Sequence, residues 1–178
     1  MSKKLLKNHE DEEEQDSAES QYLITPKGMQ KLQDELELLK YKERPEITRV
    51  IEWAAGNGDR SENGDYVYGK KRLREIDNRI RFLSNIIKNA TVIDPMTNRG
   101  DTVKFGATVT IIDDNDVTKK YMIVGTYEVE VNAARISYRS PLGRALQGCR
   151  AGDIIEYKSP KGSSSVEIIK VEYNSIIY

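Results

Sequence analysis

Apolar side chains along this chain follow two different periods. Between residues 26 and 90 they recur at helical intervals, and from about Thr102 they alternate. Met29, Leu32, Leu36 and Leu39 repeat at spacings of three and four, which predicts a helix with a coiled-coil seam. Its start is marked by Thr25, which suits an N-cap, and by Pro26, which suits the first helical position. Pro45 then interrupts the pattern, and Ile47, Val50 and Ala54 resume it out of phase. Because Pro45 cannot donate to the Tyr41 carbonyl, a bend or local unwinding is expected there. A second helix is predicted from Tyr66, Leu73, Ile80 and Ile87, seven residues apart, with Gly69, Ile76 and Leu83 at the intervening seam positions. Each helix spans roughly 30 residues, hence roughly 45 Å at 1.5 Å per residue. The connection around Gly56 and Gly58 is short, so the two helices run antiparallel as a hairpin. Such a hairpin has a thin core and is expected to lean on the rest of the chain.

The alternating part predicts strands at Val103–Phe105, Ala107–Ile111, Tyr121–Val124, Ile154–Tyr157 and Val166–Val171. The acidic run 113–116 reads as a turn. It is not a calcium loop, since its sixth position is Thr118 rather than glycine and its twelfth is Val124 rather than glutamate. Ser140-Pro141 opens a short predicted helix with Gly148 beyond its end. The fold class is therefore α+β: a two-helix antiparallel coiled coil at residues 21–92 with an acidic tip at 58–66, a linker at 93–101, and a small antiparallel sheet domain with a short helix at 102–178. Residues 1–20 hold few apolar side chains and read as a disordered acidic tail, a solubilising extension.

Charge adds polarity to this outline. The formal total of −1 conceals a net of −4 in residues 1–20 and +5 in residues 66–89, which points to a polyanion or an acidic partner at one face. Cys149 is the only cysteine and His9 the only histidine, so an intrachain disulfide, a cysteine–histidine metal site and a histidine-based triad are all excluded. The N-terminus has no apolar signal-peptide core and no run reaches the length of a membrane span, so a soluble, cytoplasmic protein and a monomer are expected.

The candidate chemistry lies at the hairpin tip, Gly58-Asp-Arg-Ser-Glu-Asn-Gly-Asp-Tyr66. Asp59 and Glu62 stand at the spacing of a capping box, which on its own favours a structural role worth about 1 kcal/mol. Three neighbours favour chemistry instead: the acids end a long projection, Lys70, Lys71, Arg72 and Arg74 follow within about two turns, and Tyr66 and Tyr68 lie beside those cations. Cations suit phosphate and carboxylates suit magnesium. Two carboxylates cannot enclose Mg²⁺, which demands near-octahedral coordination, so the tip is suited to complete a metal site half built on a partner.

At these residues the chain resembles the Gre transcript-cleavage factors of bacterial RNA polymerase, the GreB branch in particular. The matching blocks are Ile24-Thr-Pro-Lys-Gly28, Glu43-Arg-Pro-Glu46, the tip, Lys70-Lys-Arg-Leu-Arg-Glu-Ile-Asp77, and Ser140–Leu146. The resemblance implies an FKBP-like C-terminal domain that docks at the rim of the polymerase secondary channel through Ser140 and Pro141, and a coiled coil inserted into it. It implies that Asp59 and Glu62 join the polymerase's catalytic aspartates in holding a shared Mg²⁺, with Ser61, Asn63 and Asp65 in support. Lys70, Lys71, Arg72 and Arg74 then face the backtracked nascent RNA 3′ end, which the polymerase itself hydrolyses. Two departures stand out: Gly64 replaces the usual alanine, and Arg139 occupies a place where an acid is frequent. A channel-occupying inhibitor of the same fold lacks a usable acid pair. A peptidyl-prolyl isomerase needs an aromatic pocket that Phe105, the only Phe past residue 100, supplies poorly. A purely structural coiled-coil adaptor accounts for the heptads but not for the acid tip and basic shaft.

Overall fold

The computed structural model describes residues 22–56, 63–97, 100–160 and 162–174. The predicted acidic tail and the tip positions Asp59, Ser61 and Glu62 lie outside the described residues. The chain divides into two compact units: Met29–Asn89, and the described residues up to Gly28 together with those from Ala90 onward.

Unit Met29–Asn89 is helical. Helix α1 (Pro26–Leu38) runs into a π-helical turn (Leu39–Glu43), then α2 (Arg44–Ala55), and α3 (Gly64–Asn89) returns alongside. The bend expected at Pro45 takes the form of that π turn, where the Arg44 N–H reaches back to the Leu39 carbonyl. A π turn inserts one extra residue. That is why the seam passes from Leu39 to Ile47, eight residues on, where an unbroken heptad would pass to the exposed Glu46. Inward positions then continue at Ile51 and Ala54, while Val50, assigned inward by the sequence pattern, is 42% exposed. On α3 the expected seam positions Gly69, Ile76 and Leu83 are buried and Tyr66, Leu73, Ile80 and Ile87 half-buried, while Ile86, which the pattern did not assign, is buried as well. Gly69 is required by close approach, because a Cβ there would come within 2.7 Å of Ile51 Cγ1.

The second unit carries a five-stranded sheet in the order β5-β4-β3-β7-β6. Its strands are β3 (Ala107–Asp113), β4 (Thr118–Val124), β5 (Arg135–Ser137), β6 (Ile154–Ser159) and β7 (Gly162–Tyr173). The α+β expectation holds, but the sheet is mixed: β5 pairs parallel with β4. Two short strands that the pattern did not show, β1 (Tyr22–Ile24) and β2 (Ala90–Val92), also pair in parallel, and they draw residues 22–28 and 90–92 into this unit. Val103–Phe105 is not a strand. Its alternation arises because Val103 and Phe105 both enter the core on either side of the exposed Lys104. Ten side chains, including Val109, Ile111, Ile123, Leu146 and Ile168, form that core, with Phe105 buried edge-on to Tyr138 at a centroid distance of 5.7 Å.

The acidic turn 113–116 joins β3 to β4. Asp113 Oδ1 accepts the N–H groups of Asn115 and Val117 at 3.0 and 3.1 Å, and Oδ2 pairs with Lys119 at 2.6 Å. Its carboxylate thus organises the turn. The short helix α4 (Pro141–Leu146) is capped as expected, the Ser140 hydroxyl accepting the Gly143 N–H at 3.0 Å.

Candidate functional site at the hairpin tip

Helix α3 begins at Gly64, and its cap is Asn63. Asn63 Oδ1 accepts the N–H groups of Asp65 and Tyr66 at 3.1 and 3.3 Å, satisfying two donors of the first turn. The same side chain's Nδ2 donates to the Ala54 carbonyl at 2.9 Å, in the last turn of α2. One amide therefore caps the returning helix and clasps it to the outgoing one. Asn63 thus performs at α3 the capping task that the spacing of Asp59 and Glu62 had suggested for Asp59. Asp65 stays exposed in the first turn of α3, where the helix dipole favours a negative charge. Gly64 faces open space: a Cβ added there would meet nothing within 4 Å.

Below the tip, the four cations expected to face RNA separate into two kinds. Arg72 is engaged: its guanidinium bonds Glu43 across the hairpin at 2.9 Å and Glu75 on its own helix at 3.4 Å. The Glu75 and Glu43 carboxylates hold it above the ordinary arginine range. Lys70 lies 5.9 Å from the Tyr66 ring centroid, and Lys71 and Arg74 are exposed with no ion pair among the described residues. Further along, Arg79 grips Glu35 with both Nε (2.6 Å) and Nη2 (2.9 Å), and Arg44 meets Asp77 at 2.8 Å. Cross-helix pairs of this kind fix the register of a thin seam, although each exposed pair is worth at most about 1 kcal/mol.

In the sheet unit the Ser140 hydroxyl is occupied twice, since it also donates to the Ser137 carbonyl at 2.7 Å, and Pro141 is exposed beside it. Arg139 lies over the Tyr138 ring and donates from Nε to the Tyr138 hydroxyl at 2.9 Å.

Sequence reading missed Glu128. Only 6% exposed, its carboxylate accepts the N–H groups of Thr25 and Gly125, each at 3.0 Å, together with the Thr25 hydroxyl. Thr25 in turn caps α1 by accepting the Gly28 N–H at 3.1 Å. Gly28 is demanded by this packing, because any Cβ would overlap the Glu128 carboxylate. No local signal marks a glutamate in a surface-like loop as the partner of a threonine 103 residues away.

Among the described residues no three His, Cys, Asp or Glu side chains gather as a metal site, and no helix is long and apolar enough to cross a membrane. Residues 22–92 match the family described as "Transcription elongation factor, N-terminal", and residues 97–173 match "Transcription elongation factor, GreA/GreB, C-term". Transcription elongation factor GreB of Neisseria meningitidis serogroup B is 49% identical over 161 residues, covering 90% of this chain and 99% of its own length. Transcription elongation factor GreA of Rickettsia canadensis is 41% identical over 158 residues, covering 88% of this chain and 98% of its own. A solved structure titled "Prokaryotic transcription elongation factor GreA/GreB from Nitrosomonas europaea" aligns over 86% of this chain and 100% of its own at 22% identity, with a TM-score of 0.38, too low to bear on the fold.

Proposed function

The chain belongs to the GreA/GreB family of transcription elongation factors, and from that membership we propose that it inserts its hairpin into the secondary channel of bacterial RNA polymerase and stimulates cleavage of backtracked RNA. The observation that carries this reading is the Asn63 clasp. With the helix cap supplied by Asn63, Asp59 and Glu62 belong to the short connection between α2 and α3, at the end of a shaft whose returning arm is 26 residues, about 39 Å.

The donor set fits magnesium: two carboxylates give hard oxygen ligands but an incomplete shell, to be finished by the polymerase's own acids. Bound there, magnesium supplies Lewis-acid stabilisation of the charge that develops during phosphodiester hydrolysis. Asp59 and Glu62 hold their share of the site. Ser61 and Asp65 orient the RNA or the attacking water, and Asn63 keeps the loop between the two helices. Lys70, Lys71 and Arg74 bind the phosphates of the extruded 3′ segment, while Arg72 braces the shaft through Glu43 and Glu75. Ser140 and Pro141, at the start of α4, dock at the channel rim. The bond is broken by the polymerase, so the protein acts as a stimulator and not as a nuclease, in the cytoplasm where transcription takes place.

The test uses arrested, backtracked elongation complexes with Mg²⁺. The parent protein shortens the RNA, whereas Asp59→Ala and Glu62→Ala still bind polymerase and lose cleavage by about 100-fold or more, the scale of removing a transition-state charge stabiliser. Undiminished cleavage by both variants overturns the metal role. Cleavage of free RNA by the protein alone makes it a nuclease instead.

A further inference from the structure

The excess positive charge of the hairpin sits on one arm. The outgoing arm, residues 26–55, holds six Lys or Arg against six Asp or Glu, whereas α3 holds seven against three. Two of the seven are engaged locally, Arg72 with Glu43 and Glu75 and Arg79 with Glu35, and Asp77 is taken by Arg44. The remaining acid of α3, Asp65, lies in the first turn. Lys70, Lys71, Arg74, Arg81 and Lys88 are exposed with no ion pair among the described residues; Arg81 bonds the neutral Asn78 side chain at 2.6 Å. Lys70, Arg74, Arg81 and Lys88 follow at spacings of four, seven and seven, so they form one stripe from the tip end of α3 to its base. On the same side the outgoing arm adds Arg44 and, through Thr48 at spacings of four, Glu52, which leaves the stripe positive. A row of exposed cations of this length suits a polyanion.

The chain itself carries a polyanion that begins beside the base of this stripe. Residues 10–19 include seven Asp or Glu and no Lys or Arg, and they lie outside the family match, which starts at residue 22. Strand β1 starts at Tyr22, paired with Ala90, and Ala90 follows Asn89, the last residue of α3. Because β1 and β2 run parallel, the chain that precedes β1 leaves the pair at the end where α3 arrives. Lengths then agree. At a limit of about 3.3–3.6 Å per residue, Glu19 reaches about 10 Å from Tyr22 and Glu10 about 40 Å. At 1.5 Å per residue along α3, Lys88 stands about 3 Å from Ala90, Arg81 about 14 Å, Arg74 about 24 Å and Lys70 about 30 Å. Each of the five exposed cations is therefore within the span of the acidic run.

We propose that the acidic segment 10–19 lies along this stripe of α3 and covers Lys70, Lys71 and Arg74 in competition with RNA, so that nucleic acid displaces it before the hairpin holds a 3′ segment. Carboxylates and phosphates present the same chemistry to the helix, a row of anions along exposed Lys and Arg. Contacts between exposed charges are weak singly and screened by salt, which suits a cover that yields to a denser polyanion. The competition rests on the reading of Lys70, Lys71 and Arg74 as phosphate-binding residues; the contact between segment and helix stands apart from it.

The test compares the full-length parent with a full-length variant carrying E10Q, D11N, E12Q, E13Q and E14Q. At about 50 mM salt the backbone amide and arginine Nε–H resonances of Arg74 and Arg81, and the Lys88 amide, differ between the two chains; at about 500 mM, where the Debye length is about 4 Å, they coincide. In fluorescence anisotropy at the lower salt, a single-stranded RNA oligonucleotide binds the variant about tenfold more tightly than the parent. Coinciding α3 resonances at low salt overturn the proposal, whatever the RNA affinities. Differences confined to the sheet unit overturn it equally, because they put the segment elsewhere. Differing α3 resonances with equal RNA affinity overturn the competition. If neither chain binds RNA, the phosphate-binding reading of these cations falls and takes the competition with it; RNA binding by both chains with indifferent α3 resonances sinks this inference alone.

Discussion

The sheet unit buries ten side chains in one continuous core around Val109, Ile123 and Ile168. The hairpin, by contrast, has a single seam of Leu32, Leu39, Ala54, Gly69, Ile76, Leu83 and Ile86, held in register by the pairs Arg79–Glu35, Arg72–Glu43 and Arg44–Asp77. A helix pair offers only one narrow stripe for burial, so most of its surface remains available. A sheet with a covering helix encloses far more of its apolar side chains. The hairpin therefore commits only a narrow stripe of side chains to packing, whereas the sheet unit gathers ten in one cluster. Trp53 at 62% exposure and Ile123 at 0% illustrate the contrast.

The largest effect expected is the one that breaks this contrast at its strong end. Ile123→Ala removes a fully buried side chain of β4 and costs about 2–5 kcal/mol, whereas Trp53→Ala on the shaft stays within about 0.5 kcal/mol; urea denaturation of the two variants makes the comparison. Next comes Glu128→Ala, which leaves the buried N–H groups of Thr25 and Gly125 without their acceptor. A loss of about 2–3 kcal/mol is expected, with amide exchange quickening first at Thr25 and Gly125. If exchange quickens only in α3, Glu128 is not the tie described above. Gly69→Val probes the weak end: its side chain meets Ile51 and costs about 1–3 kcal/mol by overpacking. Amide protection then falls in α2 and α3 while β3 and β7 keep theirs.

The smallest effect is an acid one and belongs to the sheet unit. Lys119, followed by the N–H groups of Val117 and Asn115, holds the Asp113 carboxyl below its usual range. A depressed folded-state pKa means that the stabilisation is complete above the ordinary aspartate range. It is lost as pH falls below about 4, through the depressed value. Asp113→Asn therefore removes part of the drop in urea midpoint between pH 6 and pH 3, and an identical drop in parent and variant dismisses the turn carboxylate as its source.

Much of this was legible in the chain itself because helical and strand periods are local. Neighbours three and four apart share a face whatever lies beyond them, so the two arms, the α1 and α4 caps at Thr25 and Ser140, the turn at Asp113 and the interruption near Pro45 could all be read. Even the π turn left its mark as a seam one residue out of phase. The candidate acids were equally readable, as residue types in a short connection, although Asp59 and Glu62 lie outside the described residues. Val50 was misread because, with the π turn's extra residue in place, Ile51 and not Val50 continues the seam.

What the amino-acid sequence determined alone was the two long helices and their antiparallel direction, the strands β3, β4, β6 and β7, the short helix α4 and the residue types at the tip. Only the tertiary structure decided the partners: β1 beside β2, Glu128 over Thr25, Arg72 drawn to Glu43, and the Asn63 amide shared between two helices. The physical reason is distance along the chain. Periodicity fixes which way a side chain points on its own element, but whether it meets a carboxylate, a ring or water depends on residues brought beside it by the packing of another element.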